Sequence, residues 1–482
     1  MNIAITTSLK LMALLALLYL PLCPVIAQPQ VPETDIDSLF ASYTDNTPGV
    51  AVVIVRNGEV IFRRGYGLAN LEYGIPITPQ TVFNVGSVSK QFTAFAIYLL
   101  AEQGKLSLDD DIRRYLPELP KFGKPITIKH LCYHTSGLKE PLALLSFAGW
   151  RMDDYISTAH VLQLLSRQTA LNFESGSAFR YSNANYVLLA EIVARVSGES
   201  FADFTRKNIF EPLGMQQSQF YDDNERLIKN RAYSYDFEDG KFKKEKLNAA
   251  YVGSTALYTT AEDLAKWNAN FQKPKIGNPA LLQKFNALAT LDDGTPALLS
   301  KDMNIQHAKG QFYRNYRGIE TYIHTGGDAF FRSFFGRFPQ EDLSIIVLSN
   351  SPHFVAFPMG MKLLEILVAD KMLPLHEEAA TIPTPPATKS EAVAETDLAQ
   401  YQGHFYSTEL NSTFEVQLKG AQLWLRHFRL EEIPLEPLPE KGSFSGRNYY
   451  PFSLHFRQNE QGQVQEMEVQ DFRGEKLIFE KH

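Results

Sequence analysis

The run Gly49–Val50–Ala51–Val52–Val53–Ile54–Val55 is apolar on both faces that a strand presents, and it ends at Arg56–Asn57–Gly58 before Glu59–Val60–Ile61–Phe62 resumes. Asn-Gly between two β-prone runs dictates a hairpin, because both residues tolerate the positive φ of a type I′ turn. A strand without a polar face has to be covered on both sides, which predicts a sheet lying between helices. The 482 residues, 44% of them hydrophobic, are enough for more than one sizeable core. A net charge of −7 gives no electrostatic reason to expect a nucleic-acid partner.

The stretch that carries chemistry follows at Phe83–Asn84–Val85–Gly86–Ser87–Val88–Ser89–Lys90, opening an apolar run that reads as a buried helix and stops at Gly104. Ser87 and Lys90, three apart, share one face of a helix. A serine hydroxyl becomes a nucleophile when a nearby base takes its proton, and a lysine amine can act as that base once burial lowers its pKa. The helix start adds free N–H groups where an oxyanion would form. By itself Ser-x-x-Lys is also the pattern of a helix cap followed by a surface lysine.

Two later motifs strengthen the catalytic reading. Tyr181–Ser182–Asn183 enters an apolar helical run closed by Gly198. A tyrosine beside a lysine is expected to have its phenol pKa pulled down, making it a base, and Asn183 offers an amide for a substrate carbonyl and for positioning the lysine. His324–Thr325–Gly326–Gly327 ends a β-prone run, with glycines that let a substrate backbone lie alongside and a Gly327 N–H available as an oxyanion donor. His134–Thr135–Ser136–Gly137 invites a triad with Ser87, but no acid partner is evident and His134 is read as structural. Cys132, in an apolar context, reads as core. No histidine or cysteine cluster has metal-ligand spacing, and no cofactor is expected.

The ends of the chain differ in texture. Residues 1–27 have the make-up of a secretory signal peptide, with Leu11 to Leu22 almost wholly apolar and small residues near Ala27, so a periplasmic or secreted location is expected. A lipoprotein through Cys23 is disfavoured by bulky Leu22, and no stable membrane span is expected after cleavage. Residues 374–396, rich in Pro, Ala, Thr and Glu, read as a linker. Beyond it, alternating runs such as Thr413–Leu418 predict a small antiparallel β-sheet or barrel at 397–482, expected to fold independently and tune access rather than chemistry.

The set Ser87-x-x-Lys90, Tyr181–Ser182–Asn183 and His324–Thr325–Gly326 resembles that of the serine β-lactamase and penicillin-binding-protein superfamily. Tyr-x-Asn is more similar to its class C branch, with D-aminopeptidase and esterase relatives. Pro48–Gly49–Val50–Ala51–Val52, His134–Thr135–Ser136–Gly137–Leu138 and Pro212–Leu213–Gly214–Met215 extend the resemblance over residues 35–370, and the tail resembles the lipocalin-like domains of some such hydrolases. The resemblance implies an α/β (α+β) fold: a five-stranded antiparallel sheet beside a helical region with the cleft between them, plus a small C-terminal antiparallel β-barrel. It implies Ser87 as the acyl-forming nucleophile, Lys90 and Tyr181 sharing base and acid duty, and Asn183, His324, Thr325 and Gly327 binding substrate, with the N–H groups of Ser87 and Gly327 as the oxyanion hole.

The implied function is that of an exported serine hydrolase acting through an acyl-enzyme on small esters, amides or D-amino-acid peptides. A class C-type β-lactamase or D-Ala-D-Ala carboxypeptidase or transpeptidase is an alternative, and so is a catalytically idle module that binds or senses peptidoglycan. β-Lactamase activity ranks behind the esterase and D-peptidase readings, because His324 stands where penicillin-recognising members usually carry lysine. With a pKa near ~6.5 unless burial moves it, His324 is expected to make the preference for anionic substrates depend on pH. Phe330, where relatives often have glycine, is expected to reshape the acyl pocket.

Overall fold

A computed structural model describes residues 31–245, 248–374, 398–471 and 473–482. The expected signal peptide at 1–27, and the expected linker apart from Pro374, lie outside the described residues.

The hairpin forms as expected. Strands β1 (Val50–Arg56) and β2 (Glu59–Tyr66) pair antiparallel across Asn57 and Gly58, both at positive φ. On its other edge β1 pairs with β8 (Leu343–Ser349), which continues through β7 (Phe331–Phe338), β6 (Ile319–Asp328), β5 (Phe312–Tyr316), β4 (Ile305–His307) and β3 (Leu298–Ser300). The antiparallel sheet therefore has eight strands: the five expected are the long ones, and β3 to β5 extend it past the third motif.

Both faces of β1 are covered, as its composition requires. Val50, Val52 and Ile54 pack with helices α1 (Glu33–Phe40) and α8 (Ala356–Val368), whereas Ala51, Val53 and Val55 join the core of the helical region. At the centre of that region is α2 (Lys90–Glu102), preceded by a 3₁₀ turn over Gly86–Ser89. Its Phe92 and Phe95 pack on Trp267 of α6 (Ala261–Gln272), at ring-centroid distances of 4.6 and 5.1 Å. Nearby lie α3 (Ile128–Tyr133), α4 (Pro141–Phe147), α5 (Asn183–Ser197) and α7 (Pro279–Asn286). Ser182 caps α5 by accepting from the Ala184 N–H, and Gly198 ends it at φ 73°.

The C-terminal strands, β9 (Gly403–Ser407), β10 (Ser412–Lys419), β11 (Gln422–Arg426), β12 (Ile433–Pro437), β13 (Ser443–Arg447), β14 (Pro451–Gln458), β15 (Val464–Asp471) and β16 (Lys476–Lys481), form a closed antiparallel barrel. Phe405 and Tyr406 of β9 pair with β16 and close it. Alternate side chains point inward, and Phe405, Phe414, Leu425, Phe456 and Phe479 are buried there.

The barrel, expected to fold independently, packs directly on the helical region. Its apolar interior is continuous with the core of the helical region. Phe147 at the end of α4 packs against Phe414 and Phe452, with ring centroids 6.2 and 5.3 Å away. Gly149, at φ 80°, accommodates the His427 ring, which would stand 2.0 Å from any Cβ added there. Polar contacts surround the apolar ones: Lys139 pairs with Glu409 at 2.7 Å and Arg429 with Asp154 at 2.8 Å.

Candidate active site

The turn before α2 and the end of β6 meet in van der Waals contact. Gly86 takes φ +51°, and a Cβ there would stand 2.6 Å from the Gly327 nitrogen. A Cβ on Gly326 would stand 1.9 Å from the Val85 carbonyl oxygen, to whose carbonyl Ser333 also donates at 2.8 Å. The two neighbouring glycines thus do different work. Gly326 is required by close packing rather than by a substrate backbone, whereas Gly327 is exposed and faces the cleft.

Lys90 is fully buried, and its Nζ lies 3.1 Å from Ser87 Oγ, 2.8 Å from Asn183 Oδ1 and 2.7 Å from the Ser254 carbonyl oxygen. Burial pulls its pKa down to about 7, opposed by the carboxylates of Glu140 and Asp328 and aided by the Arg473 guanidinium. A neutral amine has two hydrogens and one lone pair. With two fixed oxygen acceptors taking the hydrogens, the lone pair is left for the Ser87 hydroxyl.

Asn183 is held more tightly than the sequence suggested. Its Nδ2 donates to Glu140 Oε1 at 2.9 Å and its backbone N–H to Glu140 Oε2 at 2.8 Å. Both ends of the amide are therefore engaged within the protein, which sets its orientation, and one Nδ2 hydrogen remains beyond the bond to Glu140.

The expected depression of the Tyr181 phenol does not occur. Its hydroxyl is buried beside Ser87, meets no partner in good hydrogen-bond geometry among the described residues, and has its pKa raised by burial. The Lys90 ammonium position is above the Tyr181 ring, 4.9 Å from its centroid, rather than beside its oxygen.

His324 and Thr325 do not line the cleft. His324 is 3% exposed, with its ring 6.1 Å from that of Tyr181, and it hydrogen-bonds through Nδ1 to the Thr325 carbonyl at 2.6 Å. Burial, with Lys90 nearby, lowers its pKa to about 3, so it stays neutral throughout the physiological range. The expected pH-dependent reading of carboxylates by His324 is corrected accordingly. His134 is likewise buried, ends α3 in the left-handed conformation, and stacks on Tyr181 at 4.4 Å while its Nδ1 accepts from the Ser182 N–H. Cys132 is buried with its thiol pKa pushed up to about 12 by that burial.

The cleft is a cavity of about 250 Å³ lined by Ser87, Tyr181, Asn183 and Gly327 together with residues that the motifs did not indicate. Asp328 is held by Asn84 Nδ2 at 3.0 Å and by the Thr255 hydroxyl, and burial raises its pKa. Arg332 lines the wall and donates from Nη1 to the Ala329 and Phe331 carbonyls, both at 2.8 Å. Tyr450 and Arg473 come from the barrel. Glu140 had a faint signal as an acid before Pro141 at a helix start; nothing in the local sequence around Arg473 marks it.

The Beta-lactamase family matches residues 36–369. A D-aminopeptidase of Gluconobacter oxydans (strain 621H) is 27% identical over 335 residues, 69% of this chain and 61% of the relative. This chain therefore spans less than two thirds of that enzyme's length. Penicillin-binding protein 4* of Bacillus subtilis (strain 168) is 27% identical over 405 residues, 80% of this chain and 85% of the relative. In structure, an octameric penicillin-binding protein homologue from Pyrococcus abyssi superposes with a TM-score of 0.62 at 23% identity, covering 93% of this chain and all of that one.

Proposed function

The chain belongs to the Beta-lactamase family, and from that premise we propose that it is an exported serine hydrolase that works through an acyl-enzyme on small esters, amides or D-amino-acid peptides. One observation carries the reading: a buried lysine, its pKa lowered to about 7, stands 3.1 Å from a serine hydroxyl at the wall of a small cleft. The export reading rests on the composition of residues 1–27. The division into a hydrolase domain at 35–370, a linker at 374–396 and a lipocalin-like domain at 397–482 belongs to the same proposal.

In this mechanism the Lys90 amine takes the Ser87 proton as Oγ forms a bond to the substrate carbonyl carbon. The N–H groups of Ser87 and Gly327 hold the resulting oxyanion. As the bond to the leaving group breaks, Tyr181, which burial keeps protonated at neutral pH, donates its proton there, and the Lys90 ammonium returns a proton to the phenolate as it forms. Water then attacks the acyl carbon with the same groups in reversed roles, and Ser87 Oγ regains a proton. The D-aminopeptidase relative supports an acyl donor of D configuration. β-Lactam hydrolysis ranks behind, because the uncharged, buried His324 supplies no cation to a β-lactam carboxylate.

A fluorophosphonate should label the protein once, at Ser87, as read by intact mass and peptide mapping. Ser87→Ala should abolish labelling with little change in Tm, and a panel of p-nitrophenyl esters, D-amino-acid anilides and a cephalosporin then ranks the acyl groups. Labelling at another serine, or none on folded protein, rejects the assignment.

A further inference from the structure

We propose that the C-terminal barrel is part of the catalytic apparatus: Arg473, acting through Glu140 and Asn183, is a positioning residue for the Lys90 amine. The inference rests on the acyl-enzyme reading above, and it replaces the expectation that the tail only governs access.

The chain of contacts is continuous. Arg473 Nη1 lies 2.9 Å from Glu140 Oε2. Glu140 is buried, with its side chain 1% exposed, and its two oxygens receive both the backbone and side-chain N–H groups of Asn183. Asn183 Oδ1 in turn accepts from Lys90 Nζ at 2.8 Å. A buried carboxylate without a counter-charge is costly, so the guanidinium offsets the Glu140 charge in the position that orients Asn183.

The turn that carries Arg473, between β15 and β16, is itself braced. Asp471 Oδ1 accepts from the Arg473 and Glu475 N–H groups at 2.9 and 2.8 Å. Glu475 accepts from Asn172 Nδ2 at 2.9 Å, which pins the turn to the helical region. Glu140 is also the N-cap of α4, the helix whose far end enters the barrel through Phe147. One short helix therefore has the barrel at its last residue and the catalytic amide at its first.

The ion pair also sets the field at Lys90. The charged groups facing the amine are Glu140 from the start of α4, Asp328 from the end of β6 and Arg473 from the barrel. The neutral ones are the rings of Tyr181 and Tyr186 from α5 and its approach, and the buried imidazoles of His134, His307 and His324, all with lowered pKa. Removing the guanidinium leaves two carboxylates unopposed, which favours the ammonium. A base must be neutral to act, so activity at neutral pH falls and the acidic limb of the rate profile moves to higher pH.

The test is kcat/KM against pH on a small neutral ester, with the rate of phosphonate labelling as a second readout, for the full chain and Arg473→Gln, Arg473→Lys and Glu140→Gln. Arg473→Gln should move the acidic limb upward by roughly half a pH unit or more. Arg473→Lys, which keeps the charge, should restore the limb to its original position, and Glu140→Gln should move it downward. The opposite signs keep the test decisive should one variant fail to fold. A wild-type protein labelled at Ser87 whose limb is unmoved in the folded variants, or in which only KM responds, overturns this inference alone. A wild type that is not labelled at Ser87 overturns the acyl-enzyme reading, and this inference with it.

Discussion

Lys90 shows how burial converts a residue that is ordinarily cationic into a base. Taking an ammonium out of water disfavours the charged form, and the pKa falls to about 7 although two carboxylates oppose the change. Activity on a neutral ester should therefore rise with pH through about 7 and be lost as pH falls below it. Tyr181 should add no alkaline limb near neutrality, because burial raises its phenol. The limb should keep its position in His324→Gln, since a histidine with a pKa of about 3 does not titrate there, and it should vanish in Lys90→Ala. A limb that survives Lys90→Ala and disappears in His324→Gln would assign the titration to the imidazole. For the same reason, the ratio of rates on a carboxylate-bearing ester and its methyl ester should not follow His324.

At the scale of elements, the site is made by the contact between β6 and the turn before α2. That contact is backbone against backbone, which explains why two adjacent glycines should differ in their tolerance of a methyl group. Gly326→Ala drives Cβ into the Val85 carbonyl at 1.9 Å, and the strand has to retreat from the turn that presents Ser87. A loss of about 1–3 kcal/mol in stability is expected, with kcat falling as the oxyanion donors separate. Gly327→Ala meets nothing nearer than Arg332 at 3.6 Å and should fold with near-native Tm. Chemical denaturation of the two variants side by side checks this; equal losses would show that Gly326 is not the packing residue.

Across the whole molecule, the barrel and the helical region share one apolar core and a polar rim, so their union is not that of two beads on a linker. A chain ending at residue 374 would expose Phe147 and deprive the Glu140 carboxylate of its Arg473 counter-charge. It should be recovered mainly as aggregate, and any soluble fraction should be labelled by phosphonate at a small part of the full-length rate. A soluble truncated protein that retains full activity on the smallest ester would mean that the barrel makes no contribution to the site.

What the sequence determined by itself is local. The Asn57–Gly58 hairpin, the two-sided burial of Val50–Val55, the buried helix after Ser87, the helical run entered at Asn183 and closed by Gly198, and the alternation of the barrel strands all follow from periods of two or 3.6 residues and from turn chemistry. The motifs likewise named residues that now stand together: Ser87, Lys90, Tyr181, Asn183 and Gly327. Only the tertiary structure decided the rest. It set His324 and Thr325 back from the cleft, raised the Tyr181 phenol instead of lowering it, and brought Arg473 from the far end of the chain to Glu140. The physical reason is common to all three. Solvation and charge pairing depend on which groups meet in space, and a residue's neighbours along the chain carry no record of the side chain that will close over it.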